Sequence, residues 1–303
     1  MGKLDDIKKN ISGNELLEEG YKSIKKIGIT YAYDWTLKKK FKDACGRDLN
    51  LENPQTFSEK IQWLKENDRN PYYVQCADKV LVRDIISKKI GEKYLTQVYG
   101  IYNDANEIDF DLLPESFVLK TNHASGQVIV VPDKSKINVQ SVKNQLNKWI
   151  HENYYYVTGE WIYKDIQPKI ICEELLDEKI VDYKFYCFNG MPKFLYITTH
   201  YTGELELNFL NLDWTKTEFQ YDMFKQFKSI PPKPNNFDEM LEIAKSLSQE
   251  FTFVRVDLFS VMGKIYFSEL TFYPTGGFAP FKPDKWEDII GNWLKLPIKN
   301  GEE

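Results

Sequence analysis

Phe253-Val254-Arg255-Val256-Asp257-Leu258-Phe259 and Ile265-Tyr266-Phe267-Ser268-Glu269-Leu270-Thr271 are two apolar segments with charged residues set into them, joined by a short link through Gly263. Side chains on a strand alternate between faces, so this composition reads as two half-buried strands of one hairpin. A hairpin symmetric about Gly263 sets Asp257 opposite Glu269 and puts Arg255, Asp257, Glu269 and Thr271 on one face. Facing side chains have Cβ atoms about 4.5–5.5 Å apart, close enough for like charges to repel. A positive group is therefore expected between the two carboxylates. Magnesium suits the place, because it accepts one or two carboxylates and completes its octahedron with water and phosphate oxygens. Arg255 can neutralise part of the pair or hold a phosphate. Changing either carboxylate to its amide is then expected to leave the metal-free protein equally or slightly more stable. The alternatives are that one strand is out of register, or that both carboxylates face water as ordinary surface charge.

Working outward, Met240, Ile243, Ala244 and Leu247 have the spacing of a buried helix face. Tyr183 to Phe188 and Lys193 to Thr198 read as a second hairpin, turned at Asn189-Gly190, where both residues accept positive φ. Lys169 to Cys172 is a buried strand running into Glu173-Glu174-Leu175-Leu176, and Val142, Leu146 and Trp149 mark an amphipathic helix. Phe117 to Lys120 and Val128 to Val131 are strands on either side of the polar loop Thr121 to Gly126. A helix is expected over Ala77 to Lys89, with Val80, Leu81 and Ile85 inward and Gly91 ending it. Another begins at Thr56, which has Glu59 at capping-box spacing and Phe57, Ile61 and Leu64 as its buried stripe. The first thirty residues are lysine- and glutamate-rich and read as a surface helix or arm.

Antiparallel hairpins mixed with helices give an α+β class. At 303 residues, 42% of them hydrophobic, the chain is long and apolar enough to bury a large core, which excludes a disordered protein. No uncharged apolar run nears the roughly 18 residues of a membrane helix, and no secretory signal is visible. A net charge of −5 argues against a nucleic-acid partner. Lys38-Lys39-Lys40-Phe41-Lys42 offers peripheral contact with an anionic membrane or lipid-linked substrate, or else a solvated helix face. Cys45, Cys76, Cys172 and Cys187 lack C-x-x-C spacing and suit a reducing cytoplasm, and His123, His151 and His200 lack metal spacing.

Several residues carry two readings. Lys120 ends an apolar strand beside a loop whose N–H groups can cradle phosphate, although a lysine there also suits plain solvent exposure. His123 can bind phosphate or cap the loop. Glu173-Glu174-Leu175-Leu176 can meet adenine and ribose or form a helix start. Lys184 shares a face with Asp182 and can form a surface ion pair, while Lys79 and Arg83 have the i,i+4 spacing of a solvated helix face.

In this order the segments resemble the ATP-grasp superfamily, and within it the TupA-like family named for teichuronopeptide biosynthesis. The marks are Asn53-Pro54-Gln55-Thr56-Phe57-Ser58-Glu59-Lys60-Ile61-Gln62-Trp63, Ala77-Asp78-Lys79 with Arg83, Leu113-Pro114 and Lys120-Thr121-Asn122-His123. Asp182-Tyr183-Lys184-Phe185, Asn189-Gly190, Arg255-Val256-Asp257 and Glu269-Leu270-Thr271-Phe272 complete them, within a match from about Phe41 to Pro297. The resemblance implies a helical N-terminal region (1–75) and two α+β subdomains (76–175 and 176–303) whose antiparallel sheets clasp ATP.

It also implies that Lys79 and Lys120 approach the ATP phosphates, that Glu173, Glu174, Leu175 and Leu176 form the adenine hinge, and that Lys184 lines the cleft. His123 and Ser125 would replace contacts of a more glycine-rich phosphate loop. Asp257 and Glu269 would hold magnesium, with Thr271 standing where the superfamily pattern has asparagine. Arg255 and Lys120 would act on the transferring phosphoryl group. The implied activity is a cytoplasmic carboxylate–amine ligation through an acyl phosphate, with a uronic-acid carboxyl of a carbohydrate or sugar nucleotide and an amine as partners. A glycosyltransferase using Asp109-Phe110-Asp111, an ATP-grasp kinase acting on a hydroxyl, and a nucleotide-binding protein without catalysis are the competing readings.

Overall fold

The computed structural model describes residues 35–177, 180–199 and 206–297. The helix or arm expected over the first thirty residues lies outside them. Of the described residues, 35–50 belong to one compact unit and those from Leu51 onward to another. In the first, residues 35–45 are helical, with Leu37, Phe41 and Cys45 buried and Lys38, Lys39, Lys40 and Lys42 on an exposed face.

The second unit is α+β with two antiparallel sheets. β1 (Val98–Tyr102), β2 (Phe117–Thr121), β3 (Val128–Val131) and β4 (Ile170–Glu173) make one, in the order β1–β4–β2–β3. β5 (Asp182–Phe188), β6 (Met191–Thr199), β7 (Glu206–Asn211), β8 (Phe253–Val261) and β9 (Lys264–Thr271) make the other, in the order β7–β6–β5–β8–β9. The helices are α1 (Phe57–Asn67), α2 (Tyr72–Ala77), α3 (Val82–Lys89), α4 (Val139–Ile150), α5 (Tyr155–Thr158), α6 (Phe237–Ser248) and α7 (Lys285–Trp293). Among the described residues no helix is long and apolar enough to cross a membrane.

Local chemistry explains where these elements begin and turn. Thr56 Oγ1 accepts from Glu59 N–H at 3.3 Å and Glu59 Oε2 accepts from Thr56 N–H at 3.0 Å, closing the capping box at the head of α1. Asn189 (φ 47°) and Gly190 (φ 79°) turn the β5–β6 hairpin as the sequence predicts. The helix expected over Ala77–Lys89 does not form as one piece. Asp78 Oδ1 accepts from Val80 N–H at 2.8 Å, and this side-chain bond competes with the helical ladder, so α2 ends at Ala77 and α3 starts at Val82. Val82 and Ile86 are consequently the buried residues of α3, whereas Leu81 is exposed.

The β8–β9 hairpin reaches the expected pairing by an unexpected route. Met262 (φ 50°) and Gly263 (φ 78°) form a two-residue turn closed by Val261 and Lys264, so the turn centre lies between them rather than at Gly263. A bulge then leaves Ser268 unpaired in β9, and beyond it Asp257 pairs with Glu269 and Arg255 with Thr271.

Each sheet has its own apolar packing. Phe117, Leu119, Val131, Ile170 and Cys172 of the first sheet cluster with Leu146 of α4. Beneath the second, Tyr186, Phe188, Phe194, Phe209 and Phe253 pack with Phe57 of α1 and Phe281. Rings 5.3 Å apart, as Phe57 is from both Phe253 and Phe281, tie α1 to this core.

Helix α7 closes against the head of α1. Glu287 accepts from Ser58 N–H at 3.0 Å and Phe281 N–H at 2.9 Å, and Lys60 Nζ donates to the Gly291 and Leu294 carbonyls, both at 2.9 Å. A Cβ on Gly291 would stand 2.2 Å from Gln55 O and 2.9 Å from Phe57 N. Gly291→Ala is therefore expected to cost about 1–3 kcal/mol of stability through overpacking. A lowered urea midpoint at unchanged m-value is the expected reading, and an unchanged midpoint contradicts this packing.

Candidate active site

The second sheet places a network of charges on adjoining strands. Lys184 of β5 is the cross-strand partner of Asp257 on β8, which faces Glu269 on β9. Asp257 has no exposed surface. Arg255 Nε donates to its Oδ1 at 2.7 Å and Arg255 Nη2 to its Oδ2 at 2.6 Å, while Lys184 Nζ reaches Oδ2 at 2.5 Å. The same Arg255 Nη2 lies 3.1 Å from Glu269 Oε1 and 2.9 Å from Thr271 Oγ1, and Lys184 Nζ also lies 2.8 Å from Asp182 Oδ2. The positive groups expected between the carboxylates are thus Arg255 and Lys184. Lys184 belongs to a buried network rather than a surface pair.

These contacts set the protonation states. Burial alone would raise the Glu269 carboxyl, but Lys184 and Arg255 outweigh it and hold the pKa at about 2. Burial would likewise lower the Lys184 ammonium, yet Asp182 and Asp257 raise it above its ordinary value. For Asp257, loss of hydration raises the carboxyl pKa while Arg255 and Lys184 oppose the rise.

The first sheet contributes a second group. Lys120, near the end of β2, reaches Glu173 Oε2 at 2.6 Å, and Arg83 of α3 lies 3.2 Å from Glu173 Oε1. Arg83 also donates to Thr96 O at 2.5 Å, so it serves the cleft wall rather than a solvated helix face. Lys79 lies outside the helices: its backbone N–H donates to Asn122 O at 3.2 Å and its Nζ to Ala124 O at 2.6 Å. Burial lowers the Lys79 pKa, with Glu269 pulling it back up.

The polar loop after β2 is held from beneath. Asn122, fully buried, donates to Asp78 Oδ1 at 3.0 Å and accepts from Lys169 N–H at 2.7 Å. His123 is 1% exposed, with Nε2 3.0 Å from Glu152 O. Burial lowers its pKa, so the structure places His123 as a neutral anchor of the loop. Ser125 is exposed at the tip. After β4, Glu174 exchanges two bonds with Gln97, 2.9 Å through its N–H and 2.7 Å through Oε1, and Leu175 and Leu176 are half-buried in an extended segment.

Two spaces adjoin these groups. A cavity of about 1010 Å³ is lined by Leu95, Thr96, Gln97, Glu174, Ile265 and Tyr266 among others, but not by Lys184, Arg255, Asp257 or Glu269. A narrow cleft between the sheets is lined by Lys79, Arg83, Lys120 and Glu173 opposite Phe267 and Ser268 of β9, again without Lys184, Arg255, Asp257 or Glu269. Glu269 follows Ser268 in the chain, and the charges of Lys184, Arg255 and Lys79 all act on it.

The donor set fits a hard cation by its charge. Asp182, Asp257 and Glu269 are three carboxylates against the two cations Arg255 and Lys184, and Asp182 Oδ1 is buried with no hydrogen-bond partner among the described residues. No three His, Cys, Asp or Glu side chains among the described residues are gathered as a metal site, so two carboxylates and the Thr271 hydroxyl are the available set. The Asp109-Phe110-Asp111 segment is a 3-10 turn in which Asp109 Oδ1 accepts from Asp111 N–H at 3.0 Å and Phe110 is buried.

Sequence reading passed over Asp78 and Asn122, whose buried bond joins two segments it had read separately. It also passed over Lys65 and Glu160. Lys65 is fully buried in α1 and donates to Gly276 O at 3.3 Å, while burial pushes the Glu160 carboxyl up to about 7 against the pull of Lys65.

The sequence model of the family described as TupA-like ATPgrasp matches residues 59–295. No curated protein matches the sequence. Solved structures include a D-alanine–D-alanine ligase from Bacillus anthracis, with a TM-score of 0.41 and 15% identity over 71% of this chain and 62% of that one. Another D-alanine–D-alanine ligase, from Helicobacter pylori, gives 0.43 and 17% over 79% and 69%. An L-amino acid ligase from Bacillus licheniformis gives 0.46 and 14% over 81% and 57%. The chain thus spans 62% of the length of the Bacillus anthracis ligase.

The Arg255–Asp257–Lys184 contacts reverse the stability expectation for Asp257. Removing its charge strands two buried cations, and breaking a buried pair from one side costs on the order of 3 kcal/mol. Asp257→Asn is expected to lower the apo urea midpoint accordingly. An equal or higher midpoint would show that repulsion from Glu269 dominates.

Proposed function

This chain belongs to the TupA-like ATP-grasp family, and we propose on that premise that it is a magnesium-dependent ATP-grasp ligase joining a carboxylate to an amine. The observation that carries this reading is the facing pair Asp257 and Glu269 held by Arg255 and Lys184, with Lys79 under the influence of Glu269 and Lys120 held by Glu173 on the other sheet. Three ammonium groups and a guanidinium set among these carboxylates suit a polyphosphate and an acyl phosphate better than any neutral ligand.

Lys120 and Lys184 are held by Glu173 and Asp257 and exchange those carboxylates for phosphate oxygens when ATP enters. Lys79 donates from the Asp78–Asn122 platform, and the segment Glu173–Leu176 meets the adenine and ribose. When held by Asp257, Glu269 and the Thr271 hydroxyl, magnesium supplies charge neutralisation on the phosphate oxygens. A substrate carboxylate oxygen attacks the γ-phosphorus, ADP leaves, and an amine then displaces phosphate from the acyl carbon. Arg255 stabilises the charge that develops in both steps, since its guanidinium reaches across from Asp257 to Glu269 and Thr271. His123, buried and bonded to backbone, holds the loop, which leaves Ser125 and the loop N–H groups to face the phosphates.

The family's association with surface polysaccharides supports a uronic-acid carboxyl and an amino acid or similar amine as substrates. A cytoplasmic setting, where ATP is available, agrees with four free buried cysteines. The Asp109 turn gives no support to a glycosyltransferase.

Purified protein is expected to gain melting temperature with magnesium and ATP, and to release ADP only when a hexuronic acid and a primary amine are both present. The product should weigh one water less than its two substrates. Lys120→Ala should cut kcat/KM for ATP by at least about ten-fold. It should cost less in stability, because Arg83 still neutralises Glu173. A phosphorylated sugar as the end product would replace the ligase by a kinase, and binding of a sugar nucleotide without ATP would remove the ATP-grasp reading.

A further inference from the structure

The phosphoryl chemistry above gives no part to Arg83, which stands in the first turn of α3 where the two spaces meet. With Leu95 and Thr96 it lines both the wide cavity and the narrow cleft. Its guanidinium is anchored to Thr96, with Nη2 donating to the carbonyl at 2.5 Å and Nη1 to the hydroxyl at 3.3 Å. The same Nη1 donates to Glu173 Oε1 at 3.2 Å.

Glu173 is 5% exposed and carries two cations, since Lys120 Nζ lies 2.6 Å from its other oxygen. The fold decides which of the two can leave. Glu173 ends β4, the strand between β1 and β2, and pairs with Val98 on one side and Val118 on the other, so its backbone is held from both sides. Arg83 keeps its bonds to Thr96 whatever Glu173 does. Lys120 is opposite Ile171, diagonal to Glu173, at the end of a flexible four-carbon stem, and is the partner that moves. The second sheet repeats the arrangement. There the buried carboxylate is Asp257, the lysine is Lys184, and Arg255 grips both oxygens.

Resting on the ligase reading, in which Lys120 leaves Glu173 for a phosphate oxygen, we propose that Arg83 is the positioning residue that permits this exchange. It holds Glu173 after Lys120 has gone, and so sets the affinity for magnesium–ATP through that carboxylate. Stripping a buried charge of its counter-ion is strongly unfavourable. With Arg83 in place, the departure of Lys120 leaves Glu173 paired. With Arg83 removed, the same departure leaves Glu173 with neither cation, so Lys120 stays where it is and the phosphates lose a ligand.

The test is a double-mutant cycle on the full chain, with Kd for magnesium–ATP read by titration calorimetry in wild type, Arg83→Gln, Glu173→Gln and the two together. Arg83→Gln is expected to raise Kd at least about ten-fold with Glu173 in place, and no more than about two-fold once Glu173→Gln has removed the charge that retains Lys120. An arginine that touches ATP itself, or that only supports the wall at Thr96, would cost the same factor in both backgrounds. Equal factors overturn the proposal, as does an unchanged Kd in Arg83→Gln alone. If Arg83→Gln does not fold, Arg83→Lys keeps the charge but cannot hold Thr96 and Glu173 in one planar fork, and is expected to raise Kd at least about three-fold, again only where Glu173 is present. A wild type that binds no magnesium–ATP defeats the ligase reading and this inference with it, whereas a wild type that binds, with Arg83 and Glu173 acting independently, defeats the inference alone.

Discussion

Asp257 is a carboxylate with no exposed surface, and the site is built around keeping it ionised there. An isolated buried charge costs several kcal/mol, so Asp257 exists in this place only because Arg255 grips both its oxygens and Lys184 shares one of them. Those partners sit on β8 and β5, and Arg255 reaches on to Glu269 and Thr271 of β9. The pairing register of the second sheet is therefore fixed by charge as well as by apolar packing. A slip of one residue on any of these strands would turn a member of the network into the aromatic core behind it. That core, in which Tyr186, Phe188, Phe194, Phe253 and Phe281 meet Phe57, supplies the rigidity the network needs.

The cleft follows from the same constraint. Lys184 and Arg255 are pinned on one side, and Lys120 and Lys79 are pinned on the other by Glu173 and the Ala124 carbonyl. Each cation is therefore held in place before any ligand arrives, and in the proposed reaction Lys120 and Lys184 change partners from carboxylate to phosphate oxygen. The Asp78–Asn122 bond makes the platform under Lys79 continuous with the phosphate loop, and Lys65 does the equivalent for the turn after β9.

Much of this was legible in the sequence where the signal is local. Thr56 with Glu59, Asn189 with Gly190, and the alternation around Arg255 and Asp257 each specify their element within a few residues. The β9 bulge was not read, although the apolar phase carries its trace: Ile265 and Phe267 are buried at odd positions and Leu270 and Phe272 at even ones, so one residue between them is extra. The helix break at Asp78 was missed because helical spacing continues across it, while the competing side-chain bond leaves no periodic trace. Lys65 and Glu160 were missed for a different reason. A lysine in the last turn of a helix ordinarily faces water, and nothing near Lys65 announces a carboxylate and a turn from distant parts of the chain. β1, which has no fully buried residue, and β7, which buries four residues in a row, lack the alternation that marks a half-buried strand.

Activation of a carboxylate by phosphoryl transfer leaves an isotopic trace that no stability or binding measurement can mimic. With the substrate carboxyl labelled in both oxygens with oxygen-18, in-line attack of one of them on the γ-phosphorus, followed by attack of the amine on the acyl carbon and cleavage of its C–O bond to phosphate, carries one labelled oxygen into inorganic phosphate. The account predicts one heavy oxygen in each phosphate released with product. Phosphate released without label, while the amide or ester product forms, would contradict the acyl phosphate and the role given to the cleft.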